Sequence, residues 1–268
     1  MKTAFIGGGV MAEAMLGRAI AEGTITPAEV CVAEPVEARR SYLAEHYDVS
    51  TTADNRAAAA EAGLVVLAVK PQQLGSVFDA LSGRLSESQT VLSIVAGASI
   101  ASLTSGLAHS HVVRVMPNTP ARIGAGVSIW TATPTVSEAA RKAAAALLSA
   151  MGTQLEVEHE SYLDMATAVS GSGPAYVFAF IEALTDAAVY LGIPREMSHT
   201  LVLETVLGSA ALAKETGEHP GLLREAVTSA GGTTAEALLA LDRGGFRAAI
   251  MDAVVAAYRR AQTLDQGR

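Results

Sequence analysis

The first 155 residues or so alternate short apolar runs with stretches of helical periodicity. The spacing predicts strands over 3–6, 30–33 and 64–69, and further strands over 90–95, 111–115 and 126–130. Helices are expected over about 10–22, 36–46 and 54–62. The run at 64–69 is apolar throughout instead of alternating. Such strands, separated by helices, belong to a parallel sheet covered on both faces. From about residue 160 the pattern changes and no further strand is expected. Pro174, Pro194 and Pro220 stand where helices can begin, as first-turn residues whose missing N–H costs nothing. Gly192 and Gly217 stand where helices should stop. The helix after Pro174, over 175–191, is apolar on nearly every face except at Glu182, Thr185 and Asp186. A helix apolar all round needs cover on all sides. In so small a helical domain a second subunit is the natural cover. The change of pattern puts a boundary near 157–163, which gives an α/β domain over 1–160 and an all-helical domain over 161–268.

Composition sharpens the expectation of a partner subunit. Half the residues are hydrophobic, 17% are charged and 4% are aromatic. The apolar mass is therefore Ala, Val and Leu, and the charges are too few to cover a monomer, so part of the excess is expected at a subunit interface. Net charge is −8, with no basic cluster beyond the pairs Arg39-Arg40 and Arg259-Arg260, so the electrostatic footprint of nucleic-acid binding is missing. Residues 165–181 carry no charge, but Gly171, Gly173 and Pro174 interrupt them and Glu182 and Asp186 follow. A buried helix preceded by a loop is expected there, not a membrane span. No secretory h-region develops before the three glycines at 7–9, and a cytoplasmic enzyme is expected. Cys31, the lone cysteine, lies in the apolar run Val30–Ala33 and reads as a buried strand thiol. No histidine pair has zinc-ligand spacing, so no metal is expected, and His109 and His111 read as surface residues at a strand start. Ser170–Pro174 only loosely matches a nucleophile elbow, because Pro174 follows and no strand precedes.

The chemistry that remains is that of a dinucleotide and an anion. Gly7, Gly9 and Ala12 follow the first strand and open the first helix in the pattern Gly-x-Gly-x-x-Ala. The first glycine permits the tight turn, the second lets backbone approach a pyrophosphate, and the small third residue lets helix and strand pack closely. Glu34 ends the second strand, where a carboxylate accepts from a ribose hydroxyl and favours NAD. Arg39 and Arg40, a turn further on, are within reach of a 2′-phosphate, and the choice between NADH and NADPH stays open here. Lys70, after the strand at 64–69, and Val95-Ala96-Gly97, after the next, sit on the sheet edge where such folds bind ligands. Asn118, between Pro117 and Pro120, reads as a turn residue bonding neighbouring backbone. In the second half, Thr233 and Glu236 have the spacing of a capping box, so a helix is expected to start there. Gly231 and Gly232 leave its N-terminus open to a small anion such as a carboxylate, and Thr234 adds a spare hydroxyl.

Five segments in order, 6–12, 68–71, 114–120, 170–176 and 231–234, make the chain closely resemble the pyrroline-5-carboxylate reductase family over about residues 3–265. The resemblance implies a Rossmann-type doubly wound sheet followed by an all-α dimerisation domain. It implies reduction of 1-pyrroline-5-carboxylate to L-proline with NADPH or NADH, by a homodimer with interlocked C-terminal helices that sometimes assembles into a decamer. The positions matching the family's cofactor contacts are Gly7, Gly8, Gly9, Val10, Met11, Asn55, Ala68, Val69, Lys70, Pro71, Val95, Ala96 and Gly97, with Glu34 where nucleotide preference is set. The substrate loop matches Thr228–Thr234, including Ser229, Gly231, Gly232 and Thr233. Thr234 matches the catalytic hydroxyl beside the imine. Backbone N–H groups of Gly231, Gly232 and Thr233 are expected to hold the substrate carboxylate. Two positions depart from the family: Ala230 stands where it often has Pro, and Glu34 where it often has Ser, Asn or Arg. A related hydroxy-acid reductase would need a Lys or His base on an early helix of the second domain, and no Lys lies between Lys142 and Lys214. A dinucleotide sensor without turnover would show a broken substrate loop.

Overall fold

The computed structural model describes residues 1–263. Its contacts divide the described chain into two compact units, Met1–Ser172 with residues 257–263, and Gly173–Ala256. The first unit contains strands β1 (Thr3–Ile6), β2 (Val30–Ala33), β3 (Ser50–Thr52), β4 (Leu64–Leu67), β5 (Thr90–Ser93), β6 (Val112–Met116), β7 (Gly126–Ala132) and β8 (Gly152–Glu156). They form one sheet in the order β3-β2-β1-β4-β5-β6-β7-β8. β1 is central, with Thr3–Ile6 opposite Val30–Ala33 on one side and Leu64–Leu67 on the other.

Side chains alternate across the strands, so each apolar run feeds two cores. Phe5, Val66 and Leu92 face one way, toward Met15 and Leu16 of α1 (Val10–Ala21), Leu43 of α2 (Glu37–Tyr47) and Leu147 of α6 (Glu138–Ser149). Ile6, Val65 and Leu67 face the other way, toward Ala58 of α3 (Asn55–Ala59), Leu74 and Leu81 of α4 (Leu74–Leu81) and Leu103 of α5 (Ile100–Leu107). This two-faced burial explains why β1 and β4 read as continuous apolar runs.

The sheet departs from the sequence reading in two ways. β6 and β7 are antiparallel. Only residues 117–125 join them, with a 3₁₀ segment at Thr119–Ile123, and a parallel crossover needs a dozen or more residues. β3 and β8 were not expected, because they are short edge strands with polar sequences and no apolar signature.

The unit continues through α7 (Ser161–Ala166) into a π-helical turn, Thr167–Gly171. The sequence predicts a loop before the long apolar helix, and the structure corrects this. The small residues keep winding, Ser170 Oγ donates to the Ala166 carbonyl (2.9 Å), and a Cβ on Gly171 would lie 2.5 Å from the Met116 methyl.

The second unit holds α8 (Gly173–Tyr190), α9 (Arg195–Thr216), α10 (Pro220–Ala226), α11 (Thr233–Arg243) and the first part of α12 (Phe246–Thr263). Pro220 opens α10 as expected, whereas Pro194 is the residue just before α9. Thr185 of α8 and Val202 of α9 are buried, but Phe178, Tyr190, Leu207 and Met251 are more than half exposed in the single chain. Among the described residues no helix is long and apolar enough to cross a membrane.

Candidate active site

The candidate cofactor site is the turn between β1 and α1. Gly7 has φ +98°, and a Cβ there would come 2.9 Å from the Ala68 carbonyl oxygen. Only glycine fits both constraints. Gly9 is the N-cap of α1, no side chain caps the helix, and a Cβ on Gly9 would meet nothing within 4 Å. The helix thus presents unpartnered N–H groups and its positive dipole end to open space, which suits a pyrophosphate. Val10, the first helical residue, is 62% exposed and Met11 is half-buried.

A polar network rims this turn. Glu34, one residue beyond β2, accepts from the Gly8 N–H (2.9 Å) and the Val36 N–H (3.0 Å). Arg39 donates from Nε to the Gly8 carbonyl (2.6 Å) and from Nη2 to Glu13, and stacks over the Tyr42 ring at 5.0 Å. Tyr42 and Tyr47 each donate to Glu13 (3.0 Å). Burial raises the Glu13 carboxyl, but the hydrogen bonds from Arg39 and the two phenols outweigh it and hold it below the usual carboxylate range. Burial and the Glu13 carboxylate push Tyr47 up to about 12. Arg40 donates to the carbonyls of Glu34 and Pro35 (2.8 Å each). Both arginines are therefore tied down, unlike the solvated pair that helix periodicity alone implies.

The remaining cofactor candidates gather at the carboxyl edge of the same sheet. β4 ends at Leu67, so Ala68, Val69 and Lys70 form a short loop before a 3₁₀ turn at Pro71–Gln73, and Lys70 lies beyond the strand and is exposed. Asn55 begins α3, whose N-cap Asp54 accepts from Arg56 N–H (2.8 Å). Val95, Ala96 and Gly97 follow β5, with Val95 buried and Gly97 at φ +70°. Asn118 is a turn residue as expected, its Oδ1 accepting from Val127 N–H (2.9 Å).

In the second unit the candidate substrate site is the approach to α11. The N-cap is Gly232, not Thr233, and no side chain caps the helix, so the expected Thr233–Glu236 box does not form. The reason is register: Gly231 turns at φ +67°, and the Gly232 carbonyl already accepts from Ala235 (3.1 Å) and Glu236 (3.3 Å). Thr233 and Thr234 are thus the first and second helical residues, one exposed and one half-buried. The Gly232 N–H donates to the Ser229 carbonyl (3.0 Å), which closes the turn and takes that N–H from any ligand. A Cβ on Gly232 would lie 2.3 Å from Ser229 Oγ. A side chain there would displace the Ser229 hydroxyl from this position.

Residues 160–264 match the family model for pyrroline-5-carboxylate reductase dimerisation, and residues 2–97 match that for NADP oxidoreductase, coenzyme F420-dependent. A pyrroline-5-carboxylate reductase of Synechocystis is 48% identical over 97% of this chain and 96% of its own length. The chain belongs to the pyrroline-5-carboxylate reductase family. Two solved members superpose on it almost end to end. The reductase from Coxiella burnetii has a TM-score of 0.88 at 37% identity, covering 98% of each chain. That from Plasmodium falciparum, solved with NADP bound, has a TM-score of 0.90 at 31% identity, covering 99% of this chain and 98% of its own.

Within this pyrroline-5-carboxylate reductase fold, one cluster lay outside the sequence reading. Arg114 on β6 is buried and pairs with Glu160 (2.6 Å) and Asp164 (2.9 Å), and Glu160 also accepts from the Ile100 N–H (2.7 Å) at the start of α5. It ties the segment after β5 to α7. The only sequence signal was a lone arginine inside an apolar strand, which needs a buried partner. His109 is likewise buried, not at the surface as expected, and its Nε2 lies 2.9 Å from the Gln89 carbonyl. Cys31 is only half-buried, and burial raises its thiol pKa.

Proposed function

We propose that this chain reduces 1-pyrroline-5-carboxylate to L-proline with NADPH or NADH, the last step of proline biosynthesis. The observation that carries the substrate half is the start of α11, a helix N-terminus with no side-chain cap behind a Gly-Gly approach. Its dipole and N–H groups suit the substrate carboxylate. Gly231 and Thr233 supply N–H groups to that carboxylate, Ser229 lies alongside, and Gly232 contributes by keeping the approach clear. Thr234 is the catalytic hydroxyl. It hydrogen-bonds the ring nitrogen and holds the proton that the nitrogen carries or gains as C=N becomes CH–NH.

The open space at Gly9 and the uncapped start of α1 fit a dinucleotide pyrophosphate. Gly9, Val10 and Met11 offer it backbone N–H groups, Gly7 and Gly8 shape the turn with their own N–H groups held by the Ala33 carbonyl and Glu34, Glu34 takes the adenosine ribose, and Asn55, Ala68–Pro71 and Val95–Gly97 line the remainder. When bound, the nicotinamide supplies a hydride to the imine carbon. The protein's contribution is then chiefly orientation and proximity, with no strong side-chain acid needed if the imine binds protonated.

In this reading residues 1–160 form the dinucleotide-binding domain and 161–268 the substrate and dimerisation domain. The enzyme works as a cytoplasmic homodimer through its C-terminal helices, with a decamer as the higher assembly. The apolar residues exposed on α8, α9 and α12 supply that interface. The test is oxidation of NADH and of NADPH with 1-pyrroline-5-carboxylate, followed at 340 nm. Turnover with at least one is expected, and binding without turnover would favour a sensor. Light scattering reads the assembly, and a monomer at micromolar concentration would overturn the dimer.

A further inference from the structure

Resting on the dinucleotide reading above, we infer that Glu34 makes this enzyme select NADH over NADPH. The Glu34 carboxylate is fixed at both oxygens. Oε2 accepts from the Gly8 N–H (2.9 Å) and Oε1 from the Val36 N–H (3.0 Å). Swinging aside would break both bonds, one of them in the glycine turn itself. Each carboxylate oxygen has a second lone pair, and Glu34 is only half-buried, so acceptor capacity remains for a ribose hydroxyl. A 2′-phosphate brings no donor at neutral pH and adds roughly 1.5 to 2 negative charges beside that carboxylate.

Of the two cations nearby, Arg39 is already paired with a carboxylate and Arg40 is held by one nitrogen. Arg39 spends Nε on the Gly8 carbonyl and Nη2 on Glu13, a carboxylate itself held by Tyr42 and Tyr47. Arg40 spends Nη1 on the carbonyls of Glu34 and Pro35. Arg39 therefore presents no free guanidinium fork of the kind that grips phosphate with two parallel bonds, and Arg40, held at Nη1, keeps only its Nε–Nη2 edge. Glu13 is paired with Arg39, while the carboxylates of Glu34 and of exposed Glu37, in the first turn of α2, outnumber the single charge of Arg40. The corner offers acceptors to a diol and no surplus cation to a phosphate.

The test is binding, without substrate. The full chain is titrated with NADH and with NADPH by nicotinamide fluorescence, and with NAD⁺ and NADP⁺ by calorimetry. The expected result is at least about tenfold tighter binding of the non-phosphorylated nucleotides, the scale of like-charge repulsion at contact range. Glu34→Gln keeps an acceptor for the Gly8 N–H and removes the charge. It should tighten NADPH by about tenfold while moving NADH by only a few-fold. Arg40→Ala should weaken neither nucleotide selectively. NADPH bound as tightly as NADH overturns the selectivity, and so does an Arg40→Ala variant that loses NADPH alone. An unchanged ratio in Glu34→Gln removes Glu34 from the choice. Binding of neither nucleotide sinks the dinucleotide reading itself, an outcome distinct from the others.

Discussion

Two glycines in one turn carry different burdens, and substituting each with alanine separates folding from binding. Gly9 has φ −71° and ψ −177°, an extended conformation open to any residue, and its Cβ would enter empty space. Gly9→Ala therefore adds no strain. It gains roughly 0.4–1 kcal/mol from a stiffer unfolded chain and loses a similar amount because alanine is a poor N-cap. The net stability change is near zero, and the melting temperature should stay within about 2 °C. The added methyl occupies the space through which a pyrophosphate would approach the first N–H groups of α1. Affinity for NADH and NADPH should then fall by at least about tenfold. Gly7→Ala is the converse. Its φ of +98° costs about 1–2 kcal/mol for an L side chain. Its Cβ, 2.9 Å from the Ala68 carbonyl oxygen and 3.0 Å from a Val69 methyl, forces the end of β4 to move. A total of about 2–4 kcal/mol is expected, or roughly 5–15 °C in melting temperature for a unit of this size. Differential scanning fluorimetry reads stability, and nucleotide fluorescence titration reads binding. If Gly9→Ala binds like the parent, the α1 N-terminus is not the pyrophosphate site. If it melts several degrees lower, the space at Gly9 is not open.

Other substitutions test the remaining parts. Thr234→Ala should lower kcat by up to about 10²-fold, the range of lost acid–base assistance, with an unchanged melt; unchanged steady-state kinetics would remove the hydroxyl from the mechanism. Thr233→Ala should leave the melting temperature unchanged, since its hydroxyl caps nothing; a loss of about 1 kcal/mol in urea titration would restore it as the cap. Arg114→Met strands the carboxylates of Glu160 and Asp164, which are about a third exposed, so a loss of roughly 2–4 kcal/mol is expected. A melt like the parent's would show the cluster to be ornamental. Burial holds the His109 pKa below its ordinary value, with the Gln89 carbonyl only partly opposing it. The unfolded chain therefore binds the proton first, and stability should fall as pH drops from about 6.5 through the lowered folded value. His109→Gln should flatten that slope in urea titrations across pH 7.5 to about 5, and an unchanged slope would assign the acid loss elsewhere.

What the sequence showed and hid follows from where the signals are local. β1, β4 and β5 were legible because both faces of each strand are buried, so β4 is apolar throughout and β1 and β5 carry only small hydroxyl residues at their ends. β3 and β8 were not, because edge strands of Ser, Thr, Gln and Glu owe their conformation to the neighbours they bond, Val32 and Ala33 for β3 and β7 for β8. The glycine turn was legible because its constraint is backbone geometry and only glycine satisfies it at Gly7. The Arg114 cluster was not, because its partners lie 46 and 50 residues away and no local spacing announces them. Glu34 and Arg39 were each noticed, but their connection through the two backbone groups of one residue, the Gly8 N–H and the Gly8 carbonyl, exists only in three dimensions.

The start of α11 shows how a local motif misleads when the backbone offers a better solution. Thr233 and Glu236 have the spacing of a capping box, and read alone they would leave Thr234 as the only unengaged hydroxyl. Gly231, with positive φ, lets the chain turn one residue earlier, so Gly232 becomes the cap and its N–H closes on Ser229. A bare glycine cap supplies no side-chain oxygen to the first-turn N–H groups, which is what a site for an external carboxylate requires. The helix is thus left incomplete by its own sequence, and a substrate carboxylate would complete it. Both threonine hydroxyls are consequently unengaged by capping, and what separates them is position. Thr234 is half-buried on the second residue of the helix, whereas Thr233 is exposed on the first. That burial favours Thr234 for the role its match to the family implies, because a hydroxyl shielded from water holds a ring nitrogen's proton more firmly than one that water can replace. Thr234→Ser keeps the hydroxyl and should retain most of the turnover that Thr234→Ala loses.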